Sequence, residues 1–106
     1  MSVIMTLRTK GDPKKLEAQA AADPDAIGAI AKEAKKAGLI AHRFYGSDDG
    51  QIMVVDEWPD PGSFQQFFEA NRAQIEPLMA SIGATAEPEI TFWRKLETRD
   101  DVGWDA

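Results

Sequence analysis

The sequence predicts an α+β fold of order βαββαβ, a four-stranded antiparallel sheet with two kinked helices on one face. Three observations carry this. Residues 39–58, LIAHRFYGSDDGQIMVVDEW, hold two runs rich in β-branched and aromatic residues about an Asp49-Gly50 turn signal, and read as a hairpin. Stretches of helical periodicity lie before and after that hairpin. Short apolar runs with alternating faces sit near both ends, at 2–8 and 89–96. That order is the ferredoxin-like split unit.

In chain order, residues 2–8 put Val3, Met5 and Leu7 on one face and Ile4 and Thr6 on the other, a strand that stops at Gly11-Asp12-Pro13. Asp12 and Pro13 form a helix N-cap and first-turn pair, and Asp23-Pro24 repeats the signal, so the first helix is expected to break there and restart. Ile27, Ile30, Ala31 and Ala34 then make an apolar stripe with lysines outside, closed by Gly38. After the hairpin, Asp60 or Ser63 caps a second helix carrying Phe64, Phe67, Phe68, Ile75, Leu78, Met79 and Ile82. Pro77 is expected to kink or restart it, and Gly83 to close it. Glu89 to Leu96 reads as the last strand. Domain organisation follows: residues 1–96 form one domain and 97–106 an acidic tail, in which Val102 and Trp104 are expected to dock on the body or on a partner subunit.

With 106 residues the chain builds only a modest core. A formal charge of −6 excludes a basic face for nucleic acid and disfavours an anionic membrane surface. The absence of cysteine removes disulfides, thiolate metal sites and cysteine nucleophiles. No segment reaches the ~20 apolar residues that span a bilayer, and Met1 to Arg8 lacks a signal-peptide layout, so a cytoplasmic protein is expected. The hairpin strands are apolar on both faces: Ile40 and Phe44 against Leu39 and Tyr45, Met53 and Val55 against Ile52 and Val54. Strands of that kind are buried on both sides, and one small layer of helices covers only one side. A symmetric homodimer is therefore expected to cover the other.

Two segments resemble the antibiotic biosynthesis monooxygenase family of dimeric α+β barrels: the opening strand, Val3-Ile4 through Leu7-Arg8-Thr9-Lys10, and Val54-Val55-Asp56-Glu57-Trp58, whose Glu-Trp step precedes the second helix. The resemblance spans residues 2–96. It implies a dimeric barrel, a pocket between sheet and second helix, and, in the members that are enzymes, oxidation of phenolic or quinol substrates by O₂ without a bound cofactor. Departures are specific. The second-helix histidines of many members are replaced by residues such as Phe67 and Arg72, which removes the iron ligand of the haem-degrading members. The tyrosine of some monooxygenases falls on Phe64, and an asparagine falls on Val54.

His42, the only histidine, is the side-chain type that exchanges a proton near neutral pH. With Asp49-Gly50 as a two-residue turn, His42 is expected opposite Glu57, and Arg43 opposite Asp56 on the other face with Trp58; a three-residue loop would abolish that register. The expected catalytic residues are His42 as base and Arg43, or the Trp58 N–H, as anion donor. The expected substrate-binding residues are Trp58, Phe64, Phe67, Tyr45 and Trp93, each of which also serves as core if no ligand is bound. No metal site is expected, because Asp48-Asp49 and Asp100-Asp101 lack converging ligands, and Ser47 and Ser63 match no nucleophile motif. Two functions compete. One is a cofactor-independent monooxygenase acting on a small aromatic molecule; the other is a non-catalytic dimeric binding or accessory protein using the same pocket.

Overall fold

Eight elements realise the expected order in the computed structural model, which describes residues 1–84 and 87–103. They are β1 (Val3–Lys10), α1 (Pro13–Ala22), α2 (Pro24–Lys36), β2 (Ala41–Gly46), β3 (Gln51–Trp58), α3 (Pro61–Ala70), α4 (Arg72–Ser81) and β4 (Glu89–Trp93). The sheet is antiparallel throughout, in the order β2-β3-β1-β4. The two longest strands, β1 and β3, are central, so they carry the most buried side chains.

Alternation along β1 sends Met5, Leu7 and Thr9 into the helix-facing layer, where all three are buried. Their partners on β3, Asp56, Val54 and Ile52, share that face. The helices start where the sequence signals them. Asp12 accepts a hydrogen bond from the Lys14 N–H at 2.9 Å, and Asp60 accepts from the Ser63 N–H at 2.8 Å. The break between α1 and α2 falls at Asp23, directly before Pro24. Gly38 and Gly83 follow α2 and α4 with φ of +115° and +83°, the conformation that ends a helix without a Cβ penalty.

Two boundaries differ from expectation. The second helical stretch breaks at Asn71, whose side-chain amide donates to the Phe67 carbonyl at 3.0 Å, and Pro77 stands inside α4. The carbonyl deprived of a partner by Pro77 is that of Ala73, four residues back on an exposed residue, where solvent can replace the lost bond. Asparagine, by contrast, competes for the backbone and interrupts it. The last strand ends at Trp93 rather than Leu96, because its ladder with β1 ends at the Ile4–Trp93 pair. Residues 94–103 follow without helix or strand. A Lys95–Asp101 ion pair of 2.9 Å holds part of this segment. Val102 is 87% exposed, so it does not dock on its own body as expected. Trp104 lies outside the described residues.

The core is one layer thick. Trp58, fully buried, sits between Phe64 and Phe67, with ring centroids 5.8 and 5.6 Å away. A second cluster of Leu16, Ile52 and Ile82 closes the hairpin end. Among the described residues no helix covers the opposite face of the sheet: Ile4 and Trp93 pair there across β1 and β4, and Trp93 is 54% exposed.

Candidate functional site

The site begins with the turn. Ser47 N–H donates to the Gln51 carbonyl at 2.9 Å, closing a three-residue loop, Asp48-Asp49-Gly50. Gly50 takes φ +84°, the left-handed position such loops require. The Ser47 hydroxyl reinforces the loop by donating to Asp49 and accepting from the Gln51 N–H.

That third loop residue corrects the expected register. His42 pairs with Asp56, not Glu57, and Arg43 pairs with Val55, not Asp56. Glu57 pairs with Ala41 on the open face and receives the Ser2 hydroxyl. A one-residue change in pairing moves a side chain to the other face. The separation of His42 from Asp56 and Trp58 expected from the sequence is therefore overturned, and all three share the helix-facing side.

They also converge. His42 Nδ1 lies 2.7 Å from Asp56 Oδ1, and Trp58 Nε1–H donates to Asp56 Oδ2 at 3.0 Å. Asp56 is only 5% exposed, and each carboxylate oxygen has its own donor, which is how a buried charge is tolerated. An ionised carboxylate only accepts. A neutral His42 ring facing it donates through Nδ1 and presents Nε2 as its acceptor. Phe44 fixes the ring edge-on, with centroids 5.0 Å apart and planes at 84°. The His42 side chain remains 28% exposed at the sheet edge, within reach of an incoming molecule.

Around the pair is a cavity of about 90 Å³ between sheet and helices. Its walls are aliphatic and aromatic, among them Met5, Leu7, Phe64, Phe67 and Phe68, and its polar residues are His42 and Asp56. Phe64 and Phe67 thus line the cavity, while Trp58 stands behind Asp56 and holds it. Arg43, Tyr45 and Trp93 lie on the other face of the sheet. Arg43 donates to the Tyr45 hydroxyl at 3.2 Å, and the Trp93 N–H donates to Thr6 Oγ1 at 2.8 Å. The expected site residues accordingly divide between two faces.

Asp56 is the residue that sequence reasoning left out of the site. The signal was present in the i, i+2 spacing of Asp56 and Trp58, which puts both on one face of a strand; the assumed turn length assigned that face away from His42. Among the described residues, no group of three or more His, Cys, Asp or Glu side chains could hold a metal ion.

No protein-family model and no curated protein matches the sequence. Solved structures do match the fold. A monooxygenase of Streptomyces coelicolor, from the gene ActVA-Orf6 and in complex with Nanaomycin D, superposes with a TM-score of 0.66 at 15% identity, covering 90% of this chain and 88% of that one. SnoaB, a cofactor-independent oxygenase from Streptomyces nogalater, matches with a TM-score of 0.60 at 16% identity, over 94% and 98% of the two chains. A dimeric ferredoxin-like protein from an uncultured marine organism matches with a TM-score of 0.60 at 15% identity, over 87% and 85%. The fold is thus the ferredoxin-like α+β fold, and it is the fold of antibiotic biosynthesis monooxygenase structures.

Proposed function

We propose that this protein is a cofactor-independent monooxygenase acting on a small phenolic or quinol-like molecule, with His42 as its base. The observation that carries the reading is the His42–Asp56 pair, in which a buried carboxylate orients an imidazole beside an apolar cavity. The structural neighbours described as a monooxygenase and as a cofactor-independent oxygenase support it.

In this reading the phenol O–H gives its proton to His42 Nε2. The phenolate passes one electron to O₂; the resulting radical and superoxide combine as a peroxide at ring carbon. Loss of water from that peroxide leaves a quinone carbonyl. One oxygen atom enters the substrate and the other leaves as water, with the substrate supplying all the electrons and hydrogens. The protein contributes a proton acceptor, fixed in orientation by Asp56, and an enclosure that keeps bulk water from the intermediates. Phe64 and Phe67 are assigned to the substrate wall.

Arg43, Tyr45 and Trp93 are assigned to a homodimer interface on the open sheet face, consistent with the half-exposed Ile4 and Trp93 and with the dimeric neighbour. Among the described residues no helix is long and apolar enough to cross a membrane, and the chain's acidity favours a small neutral ligand over nucleic acid.

Oxygen uptake with a panel of hydroquinones tests the activity. Uptake by the wild type that disappears in His42→Ala supports it, and identical rates in both overturn it. A second reading, binding without turnover, is favoured by Phe64, which brings no hydroxyl to the cavity. Thermal stabilisation by aromatic ligands with no oxygen uptake would select it.

A further inference from the structure

The cavity beside His42 is too small for the ligand it is built to receive. An apolar cavity takes up benzene at about 150 Å³, whereas this one measures about 90 Å³. Space for a ring must come from across one of its walls. An open groove of about 880 Å³ runs along the outside of α3, α4 and β4, and four side chains line both spaces: Phe64, Phe68, Ile75 and Met79. The cleft between α2 and α4 shares only Ile30 and Leu78 with the cavity. The hollow beside α1 shares only Leu16 and Phe44. The groove therefore shares the largest wall with the cavity and has the most room behind it.

Phe68 is the more exposed of the two aromatic rings in that partition. Phe64 is buried and wedged against Trp58, but Phe68 is half-buried, stacked on Phe64 at 5.5 Å with its outer face under the Arg72 guanidinium at 5.2 Å. Arg72 is in turn held over the ring by Glu69 at 2.6 Å and Glu76 at 3.7 Å. Side chains that reach solvent exchange rotamers readily, and a cation over a ring favours the closed position. The groove floor beyond it, including Ile90 and Phe92, is apolar.

We propose that the outer groove is the second half of the ligand site: a phenol-type ligand places its hydroxyl at His42 and its apolar body in the groove, through a partition that Phe68 opens and Arg72 holds shut. The proposal rests on the reading of His42 as the group that meets the ligand hydroxyl. The rim carries Glu69, Glu76 and Glu87 against the single Arg72, so the ligand body is neutral or cationic rather than anionic.

The test uses 2-naphthol as probe, with methyl and imidazole NMR to locate it and stopped-flow tryptophan fluorescence to time its arrival. Binding is expected to shift the His42 ring signals together with the methyls of Ala80 and Ile90, which line the groove but not the cavity. Phe68→Ala is expected to speed association roughly tenfold, by removing the stacked ring. Arg72→Gln, an exposed change that leaves the core intact, is expected to speed it several-fold. His42 signals that move without Ala80 and Ile90, association rates unchanged in both variants, or no binding at all would each overturn the proposal. Oxygen uptake with 1,4-naphthohydroquinone separates the two readings. Groove and His42 signals that respond to 2-naphthol while no oxygen is consumed leave the two-part site standing and remove the oxygenase.

Discussion

His42 and Asp56 face each other across the β2–β3 hairpin with Nδ1 2.7 Å from Oδ1, and the carboxylate's other oxygen is taken by Trp58 at 3.0 Å. Three residues that are remote in chemistry thus form one chain of hydrogen bonds: an indole fixes a carboxylate, and the carboxylate fixes an imidazole. The arrangement sits at the boundary between an apolar core and the edge strand, so one end is anchored and the other can meet a ligand.

Asp56→Asn tests whether the carboxylate sets the imidazole tautomer. An amide has one acceptor oxygen, and with Trp58 donating to it the NH₂ group would confront His42 Nδ1. The ring should then carry its proton on Nε2, visible in the nitrogen chemical shifts of His42. Oxygen uptake should fall by roughly 10²-fold or more, the range associated with a lost general base. A variant that keeps Nε2 unprotonated would remove the orienting role of Asp56.

Trp58→Phe tests the anchor. The substitution leaves Asp56 Oδ2 buried without its donor, which costs about 1–3 kcal/mol, and adds a void where the larger ring packed between Phe64 and Phe67. Urea denaturation should show a lower midpoint with the slope unchanged. In the Asp56→Asn background the same change should cost less, because the two residues act through one bond.

Ile4→Arg and Trp93→Glu test the open sheet face. The two residues pair across β1 and β4, so either charge would lie in the middle of a face-to-face contact between subunits and be desolvated there. Sedimentation should show a dimer for the wild type and a monomer for each variant. A wild-type monomer would remove the assignment of this face.

Ser47→Ala tests the turn through pH. The Ser47 hydroxyl, aided by the Gln51 amide, holds the Asp49 carboxyl below its ordinary value of 3.8. A carboxyl lowered on folding stabilises the folded chain above its unfolded value, and that contribution is lost as pH falls through the folded one. Removing the hydroxyl should return Asp49 to the ordinary range in a carbon-detected NMR titration, and should flatten the acid limb of the stability curve. Asp49 is exposed, so the effect on total stability is small.

The fold was legible because its signals are local. Asp12-Pro13, Asp23-Pro24 and Asp60-Pro61 mark helix starts through chemistry confined to one turn, and Val3, Met5 and Leu7 show the buried face of β1 by alternation alone. The break at Asn71 was less legible: proline is a stronger breaker in isolation, yet Pro77 falls where solvent can satisfy the carbonyl it orphans. The candidate site is legible in its members taken singly, since residue type and position mark His42, Trp58, Phe64 and Phe67. The same signals mark Arg43, Tyr45 and Trp93, because composition does not reveal which face of a strand a side chain occupies relative to a neighbouring strand.

By itself the sequence determined the order of elements, the caps at Asp12 and Asp60 though not at Asp23, the two-sided apolar character of the strands and the isolation of a single histidine. Each depends on neighbours within a few residues. Only the tertiary structure decided that His42 meets Asp56, because pairing across a hairpin depends on one extra loop residue, Asp48, and on Gly50 adopting a positive φ. A shift of one residue there leaves every local preference satisfied and reverses which side chains share a face. The hairpin that looked divided between two faces therefore carries its histidine, aspartate and tryptophan on the same side.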